Sequence, residues 1–377
     1  MAFDLRHHIL VLGGGLAGAA AAVHLARAGR IVSVVEREPT PKHKVCGEFL
    51  STEALHLLRD LGIRPEEHGA HTIGTVRLAS RRHITETRLP FVAQSLTRRC
   101  LDPVMLDAAE QAGAHVLRGT AVTSLHYAQQ HWHAHLSNGE TLVAGAAILA
   151  SGKHDLRGFP RPPGKQSDLV GLKMYFRLAP AQTQALQHAV ELLLHPYGYT
   201  GLQLVEDGVA NLCALVRRSH FAALGSWPAF LPELIARNAH ARERLESATP
   251  LLDKPLAISS IPYGFVRRGA LGDGLYAVGD QAAVIPSFTG DGMSVALYTG
   301  AAAAQAILAG ETSDAFQRRM HATLRWQVAR ATAISRAIVH PAVSPVVGAA
   351  VHRWPWLMGQ TARSTRLPVP ALRPELT

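Results

Sequence analysis

A glycine-rich turn near the start of the chain has the residue types and the spacing that bind a diphosphate. Gly13, Gly15 and Gly18 lie in the run LGGGLAG, between an apolar segment and an Ala-rich one. We expect Gly13 to form the tight turn, Gly15 to admit a pyrophosphate to the backbone, and Gly18 to let helix and strand pack closely. Leu16 and Ala17 begin the expected helix, whose positive end attracts phosphates.

An acidic residue completes this pattern. Residues 31–36 are typical of a second buried strand, and Glu36 ends that strand 18 positions after Gly18. A carboxylate at this place accepts hydrogen bonds from the ribose hydroxyls of an adenosine. The order strand, glycine turn, helix, strand therefore predicts a dinucleotide-binding domain with a parallel sheet.

A second turn of this kind lies far along the chain, in the stretch YAVGDQAAVIPSFTGDGM at 276–293. An apolar strand ends at Gly279 and Asp280, and a loop with few bulky side chains follows. In flavoproteins with such an N-terminal turn, a carboxylate at the end of a distant strand holds the ribityl chain of FAD. We therefore expect Asp280 to bind FAD, with Pro286 against the face of its ring.

The end of this loop is predicted to face the flavin ring. Gly290, Gly292 and Met293 lie where a helix is expected to begin. Backbone N–H groups at a helix start stabilise negative charge on a reduced flavin. Asp291 stands between the two glycines, where it is either a general acid or base or a solvated turn residue.

These segments resemble group A-type flavoproteins of the para-hydroxybenzoate hydroxylase fold, and most of all their geranylgeranyl-reductase-like branch. Five further segments carry the resemblance along most of the chain. The fifth, GYTGLQLVEDGVANLCALV, resembles the substrate-domain sheet of the reductase branch, and the first four are KHKVCGEFLS, LTRRCLDPVML, GTAVTSL and ILASGKHDLRG. The resemblance implies that Cys46 and Gly47 lie beside the isoalloxazine, that Arg98 contacts FAD phosphate or ribose, and that the backbone around Val122 touches the adenine. In the fourth segment Ser151 stands where hydroxylases have an aspartate.

The resemblance implies FAD as the bound cofactor. Only one complete glycine fingerprint is present, so NAD(P)H is expected as a transient electron donor that docks against the flavin. Arg37 and Lys44 either add positive charge near the flavin or its phosphates or are surface charges. Cys46 is a candidate catalytic residue, and a buried apolar role is its alternative.

The expected fold class is α/β, a discontinuous Rossmann-like FAD-binding domain with a smaller mixed-sheet substrate domain and a helical C-terminal tail. The FAD domain is assigned to 1–75, 96–160 and 255–330. Residues 76–95 and 165–254 form the substrate domain, with one helix expected in AFLPELIARNAHARERLESA. Short helices are expected from 331 to 377.

Two further groups of residues have types that suggest a site. Tyr197 and Tyr199 alternate on an expected strand, where they either line an apolar substrate pocket or pack in the core. His131, His133 and His135 alternate on another strand, which we expect at an exposed edge beside an Asn-Gly turn. We do not expect a metal there.

Composition limits the partners. The chain has 377 residues and a formal net charge of +10, but its arginines occur as pairs rather than runs, so we expect no nucleic acid. Three widely spaced cysteines suit a reducing, cytoplasmic compartment. Trp354, Trp356 and nearby arginines leave a peripheral membrane or carrier-protein contact open. The oligomeric state is not determined by these features.

The sequence leaves three functions open. The first is a monooxygenase that hydroxylates an apolar aromatic or polyketide-like small molecule through a flavin C4a-hydroperoxide. The alternative is a reductase of isoprenoid alkenes, as the resemblance implies. The third is a basic flavoprotein that binds an acidic carrier protein or a membrane with little catalysis. The Trp-x-Trp-x-Ile-Pro signature of flavin halogenases is absent from the sequence, so halogenation is not expected.

Overall fold

A parallel sheet forms the centre of the dinucleotide-binding half. The computed structural model describes residues 7–81 and 83–368, and all strand counts below refer to these residues. The sheet consists of β1 (His8–Leu12), β2 (Ile31–Glu36), β6 (His115–Arg118), β10 (Ala146–Leu149) and β17 (Leu275–Ala277). The strand order is β17-β10-β1-β2-β6, and every neighbouring pair is parallel. The predicted parallel sheet is therefore confirmed.

Four helices pack in this half of the chain, and two of them are rich in alanine. The four helices are α1 (Leu16–Arg27), α2 (Thr52–Asp60), α3 (Arg98–Gln111) and α8 (Gly292–Leu308). The Ala-rich inner face of α1 is buried, and the helix ends two residues before Gly29, which has a positive φ of 76°. Glycine tolerates this left-handed conformation without strain, so it terminates the helix here.

A second, mixed sheet forms the other half. Its strands are β3 (Phe49–Leu50), β4 (His71–Ser80), β5 (His83–Ser95), β11 (Leu169–Arg177), β12 (Ala189–His195), β13 (Gly198–Leu204), β14 (Ala210–Arg217), β15 (Thr249–Pro250) and β16 (Leu256–Ser259). The order is β15-β11-β14-β13-β12-β4-β5-β3, and β16 pairs with β11. Only β12 and β4 are parallel among these pairs.

The third sheet contains the three histidines of the sequence pattern. It consists of β7 (Val122–Ala128), β8 (His131–Leu136) and β9 (Thr141–Ala144). The expected edge position is wrong, because β8 is the middle strand, paired on both sides. His133 and His135 both stack on His126, with ring centroids 5.1 Å apart in each pair. Among the described residues, no group of three or more His, Cys, Asp or Glu could hold a metal ion.

The remaining helices depart from the expected boundaries. They are α4 (Pro180–Leu186), α5 (Arg218–Leu224), α6 (Trp227–Arg237), α7 (Ala239–Leu245), α9 (Ser313–Val339), α10 (Ser344–Arg353) and α11 (Trp356–Ser364). The single helix expected near 229–248 is two helices, because the Asn238 side chain accepts from the N–H groups of His240 and Ala241 and so starts α7.

Other predicted domain boundaries also fall inside helices or strands. The limit at 330/331 lies within α9, a continuous helix of 27 residues. The limit at 75/76 lies within β4, and β16, assigned by sequence to the FAD domain, pairs with β11 of the mixed sheet. No single described helix is long and apolar enough to cross a membrane, but α9 and α10, bent by 107° at their junction, meet the length and composition test as a pair.

Candidate functional site

The first glycine turn is shaped by contacts that exclude a side chain. Gly13 has φ of 117°, and a Cβ there would lie 2.5 Å from the Ala150 carbonyl oxygen. A Cβ on Gly18 would overlap the carbonyl oxygen of Gly13 and crowd Val11. These two glycines therefore let the turn fold back on itself between β1, β10 and α1.

The start of α1 offers backbone donors to a ligand. Gly15 is the N-cap residue and no side chain caps the helix, so its first N–H groups face the space beside Leu16 and Ala17. Glu36 stands at the end of β2 and accepts from the Gly14 N–H (2.8 Å) and the Glu38 N–H (3.0 Å). This fixes the carboxylate beside the turn, where an adenosine ribose would bind.

Hydrogen bonds connect the second turn to α8 and to the segment after β10. Gly279, with φ of 57°, donates its N–H to Thr299 Oγ1 (2.8 Å). The Arg161 guanidinium donates to the carbonyl oxygens of Asp280 (2.9 Å) and Lys153 (2.7 Å). These bonds join the segment after β10 to the turn after β17, which the sequence analysis treated as separate motifs.

The loop before α8 comes close to the mixed sheet. Gly290, with φ of 72°, packs against the Phe49 ring so closely that a Cβ would overlap it. Pro286 is buried and precedes a single 3-10 turn. The helix α8 begins at Gly292 without a capping side chain, so its first N–H groups remain available to a ligand.

Asp291 is buried, and the expectation of a solvated turn residue is wrong. Its side chain is 0% exposed, and Oδ1 lies 2.8 Å from Arg366 Nη1 while Oδ2 accepts from Gln327 Nε2 (2.9 Å). Burial raises its pKa to about 7 against the opposing charge of Arg366. Asp291 is not among the residues that line the cavity described below, and its contacts tie the C-terminal segment to the loop.

The segment with Cys46 is held by a buried ion pair that sequence reasoning missed. Glu48, with φ of 59°, is fully buried, and its Oε1 lies 2.6 Å from Lys173 Nζ. The Tyr175 hydroxyl donates to Glu48 at 2.9 Å, and the Arg98 N–H donates at 2.8 Å. Burial raises the Glu48 pKa, and the Lys173 ammonium opposes that effect. The available signal was the single lysine within the otherwise apolar run LVGLKMYF.

Two amides also fix this segment. Gln203 Nε2 (3.0 Å) and Asn211 Nδ2 (2.8 Å) both donate to the carbonyl oxygen of Gly47. Both side chains come from the mixed sheet, on β13 and β14. The sheet therefore sets the position of Cys46 and Gly47 relative to the glycine turns.

One cavity of about 310 Å³ runs between the two halves. Most of the predicted cofactor and pocket residues line it, namely Gly15, Leu16, Ala17, Cys46, Gly47, Arg98, Tyr199, Gly279, Asp280, Gly290, Gly292 and Met293. Residues separated by almost 280 positions thus meet at one place. The chemistry of this lining suits FAD, with uncapped helix starts for its phosphates and ring and a carboxylate for its ribityl hydroxyls.

Other predicted cofactor residues lie outside the cavity lining. Lys44 forms an ion pair with Asp102 (2.7 Å), and Asp102 also pairs with Arg98 (2.5 Å). Lys44 therefore acts on the site through Asp102 and Arg98. Arg37 is exposed and pairs with Glu38 (3.1 Å). Val122 begins β7 and packs against the core below the parallel sheet.

The two tyrosines do not share a pocket. Tyr199 lines the cavity, and its hydroxyl lies 2.8 Å from Ser287 Oγ and accepts from the Phe288 N–H (3.0 Å). Tyr197 stacks on His220, with centroids 4.0 Å apart, beside the α5–α6 core. The reason is that Tyr197 lies in the turn before β13, where the alternation of strand side chains does not apply.

Sequence comparisons show similarity to an FAD binding domain and to two reductases. Residues 6–146 match a family model described as an FAD binding domain. The menaquinone reductase of Mycolicibacterium smegmatis is 28% identical over 336 residues, which cover 82% of this chain and 78% of that protein. Digeranylgeranylglycerophospholipid reductase 2 of Methanosphaera stadtmanae is 26% identical over 333 residues, covering 81% and 79%.

Solved structures share the whole architecture. The flavin-dependent brominase Bmp2 superposes with a TM-score of 0.77 at 18% identity, covering 95% of this chain and 93% of that one. The myxobacterial chondrochloren halogenase CndH gives 0.76 at 20% identity, covering 98% and 92%. At these identities the likeness shows the fold alone.

The fold and site define a class. The chain has the fold of group A flavoproteins, as the sequence motifs predicted, and is an FAD-dependent oxidoreductase. The residues that match the FAD binding domain include the first glycine turn, and the second turn lines the same cavity.

Proposed function

We propose that the protein reduces carbon–carbon double bonds in the chain of an isoprenoid lipid. The observation that carries this proposal is the wall of the cavity beyond the FAD residues. It is formed by branched aliphatic and other apolar side chains of β4, β5, β12, α9, α10 and α11, namely Val76, Leu78, Leu89, Val190, Leu192, Ile334, Ile338, Val347, Val351 and Met358. Burial of a hydrocarbon chain against such a wall makes the free energy of binding more favourable, and the wall needs no polar partner in the substrate.

The named relatives support this substrate class. Both are called reductases, of menaquinone and of digeranylgeranylglycerophospholipid, and each aligns with about four-fifths of this chain. Menaquinone and geranylgeranyl lipids both carry isoprenoid chains with carbon–carbon double bonds. The two names therefore agree with an apolar cavity that ends at a flavin site.

Cys46 is the residue of this chain that we assign to proton transfer. When bound, FAD would supply the hydride, received from NAD(P)H. Reduction of an alkene then requires one proton for the second carbon, and Cys46 lines the cavity together with Gly47 and the residues of the first glycine turn. The buried Glu48–Lys173 pair and the two amides on Gly47 hold that thiol in position.

Oxygenation of an apolar aromatic, the first hypothesis from the sequence, uses the same FAD residues. The aliphatic wall and the two reductase relatives favour alkene reduction over it. Tyr199 lines the cavity, but its hydroxyl is bound to Ser287 and to the Phe288 N–H and holds the loop.

The test is anaerobic turnover with NADH or NADPH and substrates that carry a prenyl chain, followed by mass analysis of the products. We expect a gain of two hydrogens for each reduced double bond. A parallel reaction under oxygen-18 gas reports oxygenation, and a labelled hydroxylated product without alkene reduction would overturn the proposal.

A matched pair of variants tests the assigned thiol. Cys46→Ala should lower turnover by about 10²-fold, the usual contribution of a positioned acid. Cys100→Ala should leave turnover unchanged, because Cys100, a residue of α3, lies outside the cavity lining. Equal turnover in both variants would remove Cys46 from the chemistry.

A further inference from the structure

The charge of the protein is concentrated in one segment. Between Asp314 and Glu375 the chain has no acidic residue for 60 positions, and this stretch contains nine arginines and no lysine. The formal net charge of the whole chain is +10. The described part of this segment contains most of α9 and all of α10 and α11.

The helices α10 and α11 have two different apolar faces. On the inner side, Val351 and Met358 line the cavity. On the outer side, Val346 is 65% exposed, Trp354 48% and Trp356 61%. A core helix would bury such residues, so the outer face is an apolar surface with nothing covering it in the described chain.

Cations border this outer face. Arg353 and Arg363 are exposed, and the Arg353 guanidinium lies 5.7 Å from the ring centre of Trp354. Exposed tryptophans beside arginines are the chemistry of helices that lie in a membrane interface, where the rings enter the headgroup layer and the cations meet anionic lipids. The lack of acidic residues removes the repulsion that such a surface would otherwise meet.

We propose that the outer faces of α10 and α11 dock onto an anionic lipid bilayer. The same two helices then form both the bilayer contact and the wall of the cavity, so an isoprenoid chain enters the cavity from the bilayer beside them. This second step rests on the proposed function, whereas the docking rests on the tryptophans and the charge. A bilayer fits better than an acidic protein because it buries all three outer apolar side chains.

The experiment measures flotation of the FAD-loaded full chain with vesicles. One vesicle preparation is phosphatidylcholine alone and the other is phosphatidylcholine with phosphatidylglycerol. We expect binding to the anionic vesicles that weakens as salt is added. Trp354→Ala/Trp356→Ala should lower the vesicle affinity about tenfold or more, and Arg353→Gln/Arg363→Gln about fivefold for each arginine removed.

Matched controls change an exposed aromatic and an exposed arginine elsewhere. Tyr127→Ala and Arg218→Gln replace such residues on the three-stranded sheet and on α5. Both should bind vesicles as the parent does. Retention of FAD by each variant checks that it is folded.

The outcomes separate docking from function. The docking proposal is overturned if the protein binds both vesicle types equally or if the tryptophan variant binds as the parent does. It is also overturned if the protein binds an acidic protein but no vesicles. Reduction of a short prenyl alcohol in detergent by all variants, with lost vesicle binding in the tryptophan variant, supports it. Vesicle binding without reduction of any prenyl chain supports docking, while it overturns the entry route together with the proposed function.

Discussion

Two buried ion pairs position loops that line the cavity. Lys173 with Glu48 holds the Cys46 segment, and Arg366 with Asp291 holds the loop before α8. Removing one member of such a pair leaves an uncompensated charge in the interior, which is strongly unfavourable. Lys173 and Asp291 therefore act on the candidate site through the loops, whereas Glu48 and Arg366 also line the cavity.

The Arg366–Asp291 pair should make stability depend on pH. The folded-state pKa of Asp291, about 7, lies above its ordinary value of 3.8, so the fold favours the protonated form. The stability gained from that proton is present at low pH and is lost as pH rises from about 4 to about 7. Arg366→Met removes the cation that lowers the pKa of Asp291. In this variant the stability should therefore keep falling up to a higher pH than in the parent. We expect the free energy of unfolding to fall by about 3–5 kcal/mol near pH 8 and by clearly less near pH 5.

Denaturant unfolding at both pH values measures this difference. In Arg366→Met/Asp291→Asn the buried group is neutral at every pH, so the extra loss near pH 8 should disappear. Arg363→Gln, three residues away and exposed, is the matched control and should change stability little. An equal cost of Arg366→Met at both pH values would contradict the assigned coupling.

At the scale of elements, the contact between α1 and α8 decides whether the two glycine turns meet. A Cβ on Gly300 would overlap the carbonyl oxygen of Ala17, and a Cβ on Gly279 would lie 3.2 Å from Ala17 Cβ. Small residues thus allow the two helices to cross closely. This explains why both segments are rich in glycine and alanine although neither crosses a membrane by itself.

Gly300→Ala should separate these helices. In an unconstrained helix interior this change stabilises by about 1 kcal/mol, but here overpacking should destabilise by about 1–3 kcal/mol and weaken FAD binding. Gly359→Ala in α11 is the control, since nothing lies within 4 Å of its added Cβ. Thermal unfolding and FAD titration measure both. A Gly300→Ala variant that is more stable than the parent and binds FAD normally would contradict the close packing of α1 and α8.

At the scale of the molecule, the candidate FAD site is assembled from segments that are far apart along the chain. The cavity joins the turn at 15–17, the segment at 46–49, the loop at 279–293 and the C-terminal Arg366. A ligand that touches all of these binds the folded state only. Its binding free energy therefore adds to the stability of the fold.

FAD should consequently stabilise the whole protein against unfolding. With free FAD at about 100 times its Kd, the gain is about 2.7 kcal/mol. Thermal unfolding with increasing FAD should show a rising midpoint, and limited proteolysis should slow in the loops at 46–49 and 279–293. Riboflavin, which lacks the diphosphate and adenosine, is the control ligand and should raise the midpoint much less. A midpoint independent of FAD would contradict a site built from these segments.

The sequence by itself determined the FAD-binding half and its cofactor. Gly13, Gly15, Gly18 and Glu36 form a local pattern, and local patterns report local geometry: a strand, a tight turn and a helix start. The same holds for Gly279 and Asp280. The parallel and mixed sheets agree with the prediction, whereas the lining of the cavity was predicted only in part, because Arg37, Lys44, Val122 and Tyr197 lie outside it.

Only the tertiary structure decided burial and pairing. Asp291 resembles a solvated turn residue until Arg366, 75 positions later, is placed against it, and Glu48 was not distinguished until Lys173 of a distant strand met it. Likewise β8 became a middle strand because β7 and β9 pair on both sides. Periodicity and spacing describe neighbours along the chain, whereas the charge state and exposure of a side chain depend on neighbours in space.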